Sequence, residues 1–205
     1  MLQQTRVEAV KNYYARFLET FPDIAALAAA EQDQVNKCWE GLGYYSRAAN
    51  LRKAAQTIQE QYGGVFPRTW EEVRGLAGVG DYTAGAVCSI CYGLPTPAVD
   101  GNVLRVAARV MNHFCEIDRP EQKAAVTALL RQVYLDNPEH CGTLTQAFME
   151  IGATVCVPNG QPHCEACPLS ELCLGRQYCD ALRLPQRTAK KARRQEQYTV
   201  FVLQC

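Results

Sequence analysis

The chain has 205 residues, 48% of them hydrophobic and 20% charged, enough to bury a core as one domain or two small ones. No apolar run approaches the roughly 18 residues of a membrane-spanning helix. Met1 is followed by LQQTRVEAVKNYY, which lacks the apolar stretch of a secretory signal, so a membrane span is excluded and an intracellular location is expected.

Helical periodicity runs through almost the whole chain. Val7, Val10, Tyr14, Phe17, Leu18 and Phe21 follow a 3.6-residue spacing, and Pro22 ends that segment. Leu51, Ala54, Ala55, Ile58 and Tyr62 form a second stripe, closed by Gly63-Gly64. Thr69 and Glu72 predict a capping box for a short helix. Gly78 and Gly80 bracket Val79 before an alanine-rich helix starting at about 81–83. Asn102 is expected to cap the helix VLRVAARV. A longer helix over about 120–135 has Pro120 in its first turn and Ala125, Leu129 and Val133 as buried positions. Leu144, Ala147, Phe148, Ile151 and Val155 mark a helix leading into a cysteine-rich loop. The only strand signal is YTVFVLQC at 198–205, which reads as the start of a further domain.

The formal net charge is zero, but its distribution is uneven. Arg183, Arg187, Lys190, Lys191, Arg193 and Arg194 lie in a stretch without acids, which leaves the remainder net acidic by the same amount. An anionic partner must therefore be held by local groups such as helix N-termini, not by a global field. The basic stretch itself reads as a linker.

Eleven cysteines in a reducing compartment should mostly be thiols or metal ligands. Cys156, Cys164, Cys167 and Cys173 have the spacing C-x7-C-x2-C-x5-C. Two C-x2-C knuckles are usual for zinc. A single knuckle with uneven flanks suits the wider corners of a [4Fe–4S] cluster better, with zinc and incidental thiols as the other readings. Cys38, Cys88, Cys91, Cys115 and Cys141 fall in helical stripes and are expected to be small buried residues.

Two further motifs carry chemistry. The GVG turn of LAGVGDYTAG can bring free helix N–H groups to a phosphate, or it can be a plain interhelix turn. Asp100 in TPAVDGNVLRV can face a cationic transition state, as in glycoside cleavage, or can serve as an ordinary N-cap.

Together, MLQQT at 1–5, GLGYYSRA at 41–48, GVGDYTAG at 78–85, VDGNV at 99–103, QAFMEIGATVC at 146–156 and the cysteine loop resemble the helix-hairpin-helix glycosylases of the endonuclease III superfamily. Within that superfamily they resemble the MutY adenine DNA glycosylases. The resemblance covers roughly residues 1–180. It implies an all-α, two-lobed fold: a cluster lobe from 1–10 and 116–180, a helical lobe with the hairpin from 11–115, and from 181 on a linker and the start of a Nudix-like domain. The implied activity is removal of adenine facing 8-oxoguanine or guanine in double-stranded DNA, by a monomer with a [4Fe–4S] cluster. The implied location is the nucleus, with mitochondria, in a eukaryote and the cytoplasm in a bacterium.

The resemblance also implies residue roles. Asp100 would be the catalytic carboxylate, supported by Tyr82 and Asn102. Gly78, Val79 and Gly80 would hold a DNA phosphate. Gln3, Gln4 and Thr5 would contact DNA, with Gln4 and Tyr44 wedged into the stack, and Gln146 would face the extruded adenine. Lyases of the superfamily carry a nucleophilic lysine where this chain has Tyr82, so a monofunctional glycosylase is the leading expectation and an endonuclease III-like lyase the least favoured alternative. The family's general-acid glutamate falls two residues before the position of Met1. Very slow or absent excision with retained DNA binding, as in a catalytically impaired binding module, is therefore the expectation for the chain as written. Other departures from the family pattern are Ala77 in place of a proline, the x7 cysteine spacing and Thr145 in place of asparagine.

Overall fold

The computed structural model describes residues 1, 5, 7–189 and 196. Leu2, Gln3, Gln4 and Arg6, Lys190, Lys191, Arg193 and Arg194 of the basic stretch, and the strand expected at 198–205 lie outside the described residues. The helices are α1 (Val7–Thr20), α2 (Ile24–Ala29), α3 (Gln32–Trp39), α4 (Ser46–Tyr62), α5 (Trp70–Gly75), α6 (Asp81–Tyr92), α7 (Gly101–Val110), α8 (Pro120–Asp136), α9 (Cys141–Glu150) and α10 (Leu174–Gln177). Among the described residues there is no strand, only an isolated bridge between Glu116 and Gln186. No helix among them is long and apolar enough to cross a membrane.

Local chemistry sets the helix boundaries. Thr69 and Glu72 form the expected capping box at α5. Gly63, at φ +61°, closes α4 in the left-handed conformation that a glycine adopts without strain. Pro120 opens α8, where its missing N–H costs nothing. The expected cap at Asn102 is corrected: Asp100 is the N-cap of α7, and Asn102 lies inside the first turn.

Four apolar clusters form among the described residues, and two of them are large. The first gathers Val10, Phe17 and Phe21 with Leu27, Val35 and Trp39. The second packs Val103, Leu104 and Ala107 of α7 against Val126 and Leu130 of α8. It draws on residues either side of 115, while Val10 belongs to the first. α6 packs on α9, and α7 packs on α9 and α10, so the cysteine-bearing segment rests on α7.

Several expected buried positions shift. In α1 only Val10 and Phe17 are buried, while Val7, Tyr14 and Leu18 are exposed. α1 meets the fold mainly through α3, which covers a narrow stripe. In α8 the buried set is Val126, Leu130 and Tyr134, one register beyond Ala125, Leu129 and Val133. Tyr134 pulls the helix round because its hydroxyl has a buried partner, Thr145, 3.0 Å away. Leu51 of α4 is exposed. Cys88 and Cys141 are buried as expected, Cys38 and Cys115 are half-buried, and Cys91 is exposed on the outer side of α6.

Candidate active site and cysteine pocket

The hairpin between α5 and α6 is built on its two glycines. Gly78 sits at φ +75°, and a Cβ there would lie 2.7 Å from Cβ of Asn50, so both backbone and space demand glycine. Gly80 differs: it is the N-cap of α6 in extended conformation, and a Cβ there would meet nothing within 4 Å. The turn is closed by Val79 N–H donating to the Leu76 carbonyl at 3.1 Å. The opening amides of α6, at Asp81 and Tyr82, have no intrahelical acceptor and form the positive end of the helix dipole. Arg74 braces the hairpin, donating to Asp81 Oδ1 at 2.6 Å and to the Val79 carbonyl at 3.1 Å. Its hydrogen bond holds the exposed Asp81 carboxyl below the usual carboxylate range.

Asp100 is half-buried and held at both oxygens. Oδ1 accepts from the backbone N–H of Asn102 and of Val103, each at 2.9 Å. Oδ2 accepts from Asn102 Nδ2 at 2.9 Å. Asn102 Oδ1 accepts in turn from Arg105 Nη1 at 3.1 Å. A guanidinium only donates and a carboxylate only accepts, so the Asn102 amide has one satisfying orientation. Arg105 also donates to the Cys156 carbonyl at 2.8 Å and the Gly152 carbonyl at 2.6 Å. A Cβ on Gly152 would lie 2.8 Å from Cβ of Asn102; glycine there lets the π-helical turn Ile151–Val155 approach α7. Burial pulls the Arg105 guanidinium below its usual range, an effect that the Cys156 and Asp100 charges offset in part.

Tyr82 stands half-buried on α6, and its hydroxyl is pushed up by burial and then by the Asp100 charge. Asp100 and Asn102 are thus hydrogen-bonded on α7, and the Asp100 charge acts on the Tyr82 hydroxyl. Gln146 is exposed and donates back to the Gly142 carbonyl at 3.2 Å. Tyr44 is exposed with φ +48°. Arg47 lies 5.7 Å from its ring centroid and donates to Thr5 Oγ1 at 3.3 Å and to the Met1 carbonyl at 3.0 Å, so Thr5 and Tyr44 meet across one guanidinium. Gln3 and Gln4 lie outside the described residues.

The four cysteines of the loop line a single pocket, with Val106 and Arg109 of α7, Ile151 and Leu169 among its walls. Among the described residues no three His, Cys, Asp or Glu side chains converge closely enough to hold one metal ion. Cys156 caps the π-helical turn and Cys173 caps α10. Burial pushes the Cys164 thiol up, and the neighbouring Cys173, Cys156 and Cys167 add to it. Arg109 Nη1 donates to Cys156 Sγ at 3.3 Å, and Cys173 Sγ lies 3.4 Å from the Arg109 carbonyl.

Arg47, Arg105 and Arg109 are residues that sequence reasoning missed. The signal for the last two was two arginines four apart on an otherwise apolar helix, and hence on one face.

A helical fold with a glycine hairpin opening one helix and a capped aspartate opening the next, over a cysteine pocket, defines a helix-hairpin-helix protein of the DNA-repair class. The chain belongs to the HhH-GPD superfamily of base excision DNA repair proteins, whose family model matches residues 1–133. It is similar to the adenine DNA glycosylase of Schizosaccharomyces pombe, 41% identical over 185 residues covering 89% of this chain and 40% of that protein. It is also similar to that of Homo sapiens, 44% identical over 178 residues covering 86% and 32%. The chain thus spans less than half the length of these relatives. Among solved structures it resembles a thermostable thymine-DNA glycosylase, with TM-score 0.76 and 26% identity over 87% of this chain and 81% of that one. It also resembles endonuclease III in a non-covalent DNA complex, with TM-score 0.69 and 26% identity over 89% and 82%.

Proposed function

We propose that the chain is the catalytic core of a MutY-type adenine DNA glycosylase, which as a monomer binds double-stranded DNA and removes adenine facing 8-oxoguanine. The observation that carries this reading is the Asp100 carboxylate, fixed by three donors on α7. The glycosidic carbon is out of reach inside a stacked duplex, so the adenine must be extruded. Breaking the C1′–N9 bond builds positive charge on the sugar, and a preorganised carboxylate stabilises it without rearranging. Tyr82 offers no amine, so no Schiff base forms with the sugar and the strand stays intact. The Gly78–Gly80 hairpin presents backbone N–H groups to one phosphate.

Cys156, Cys164, Cys167 and Cys173 would hold a [4Fe–4S] cluster. The residues fit that group: all four thiols line one pocket. When bound, the cluster cross-links the loop and supplies a one-electron redox centre.

The test is single-turnover release of adenine from a duplex carrying adenine opposite 8-oxoguanine, read as alkali-labile sites, beside fluorescence anisotropy for binding. Excision that needs Asp100 supports the reading. Tight binding with no release makes the chain a DNA-binding module of the same fold. Strand cleavage without alkali would make it a lyase.

A further inference from the structure

The pocket wall contains a buried positive charge that the described residues do not neutralise. Arg109 is 3% exposed and makes no ion pair among the described residues. Its Nε donates to the Leu184 carbonyl and its Nη1 to the Val157 carbonyl, both at 2.9 Å. Carbonyl acceptors satisfy a guanidinium's N–H groups but not its charge, and a buried cation without an anion is costly. The remaining contact of Nη1 is Cys156 Sγ at 3.3 Å. On the other side, the Arg109 carbonyl faces Cys173 Sγ at 3.4 Å. A Cβ on Gly175 would lie 2.5 Å from that carbonyl, so α10 is seated directly on this residue. Arg109 therefore touches two of the four cysteines, and they come from the two ends of the loop.

Resting on the cluster reading above, we infer that Arg109 is the counter-ion of the cysteine-held cluster and sets its reduction potential. Four thiolates around a cubane core with two positive charges form a net dianion. A fixed cation at Cys156 Sγ compensates that charge, and its hydrogen bond withdraws electron density from the sulfur. Both effects favour the form with one more electron. Arg105, one turn earlier, is also buried but directs its donors to Asn102 and to the Cys156 and Gly152 carbonyls, and to no sulfur.

The experiment is a redox titration of the cluster-loaded chain beside Arg109→Gln and Arg109→Lys, with iron and sulfide content measured for each. Arg109→Gln is expected to hold its cluster at a more negative midpoint potential and to bleach faster under mild oxidant. Arg109→Lys keeps the charge and should stay near the parent. An Arg109→Gln protein fully loaded at the parental potential overturns the inference. If Arg109→Gln fails to load, Arg109→Lys decides: loading near the parental potential supports the counter-ion role. Failure of the lysine variant as well means that Arg109 only anchors Leu184 and Val157, and the inference falls. A parent chain that takes up zinc instead sinks the cluster reading itself, before any variant is compared.

Discussion

Arg105 joins the Asn102 side chain to the Cys156 backbone: one guanidinium donates to Asn102 Oδ1 at 3.1 Å and to the Cys156 carbonyl at 2.8 Å. The amide that positions Asp100 and the segment that enters the cysteine pocket are thus held by one side chain. Arg105→Gln would leave up to three buried acceptors short of a donor, each costing about 1–3 kcal/mol. The expected result is a loss of about 3 kcal/mol in urea unfolding. Single-turnover excision should slow while DNA affinity changes little, because Asn102 no longer orients Asp100. Unchanged excision in a folded variant would show that Asp100 is positioned without this link.

Asp100 itself can be tested without losing the helix cap. Asparagine is as good an N-cap as aspartate, so Asp100→Asn should keep α7 and alter stability by no more than about 1 kcal/mol. It removes the charge facing the sugar, and excision should fall on the order of 10³-fold, the scale for one preorganised electrostatic group. Equal loss of excision and of DNA binding would point to a structural role instead.

The two hairpin glycines should fail differently. Gly78→Ala places a Cβ against Asn50 at positive φ, which should cost about 1–3 kcal/mol by thermal or urea unfolding. Gly80→Val points into open space and should leave stability within about 0.5 kcal/mol. It should nevertheless weaken binding to every duplex alike, because the branched side chain keeps a phosphate from the backbone. A Gly80→Val protein with parental affinity would make the hairpin a plain turn.

The Arg74–Asp81 pair gives a pH and salt signature. The Asp81 carboxyl is held low in the folded chain by Arg74. Its contribution is thus present above the unfolded carboxyl value and fades as pH falls from about 4 through the lower folded value. The pair is exposed, so the effect on unfolding free energy should stay below about 1 kcal/mol. Asp81→Asn should have a clearer effect on DNA. It frees a guanidinium beside the phosphate cradle, raising affinity and steepening the salt slope by about one unit. An unchanged slope would mean that Arg74 stays on the Val79 carbonyl and never reaches DNA.

Much of this architecture was legible in the sequence because its signals are local. The Thr69–Glu72 box, the Gly63 stop and the Pro120 start each depend on residues within one helical turn. The hydrogen bond between Asp100 and Asn102 is likewise local, within the first turn of α7. What escaped depends on distant partners. The register of α8 turns on a hydroxyl contact from Tyr134 to Thr145 on another helix. The same Thr145 hydroxyl lies 2.7 Å from Ser89 Oγ, so Thr145 ties α6, α8 and α9 together. Arg109 meets acceptors 47 to 75 residues further on, and no local pattern reports that.

Cys156 ends the π-helical turn, Cys164 opens a short 3-10 turn, and Cys173 caps α10. The loop among them has few buried side chains of its own, so its fold depends on whatever the four sulfurs bind. Purified anaerobically, the chain should be brown, with broad absorption near about 400 nm from thiolate–iron charge transfer. Cys164→Ser should lower iron content and expose the 156–173 segment to protease. The first core, which takes in Phe17, Val35 and Trp39, shares no residue with the loop. Hydrogen exchange in α2 to α4 should therefore stay protected while α10 and the end of α7 open. Uniform loss of protection would show that the pocket supports the whole fold. A colourless protein with stoichiometric zinc would replace the cluster by a single ion, and the loop would then have to contract until the sulfurs converge.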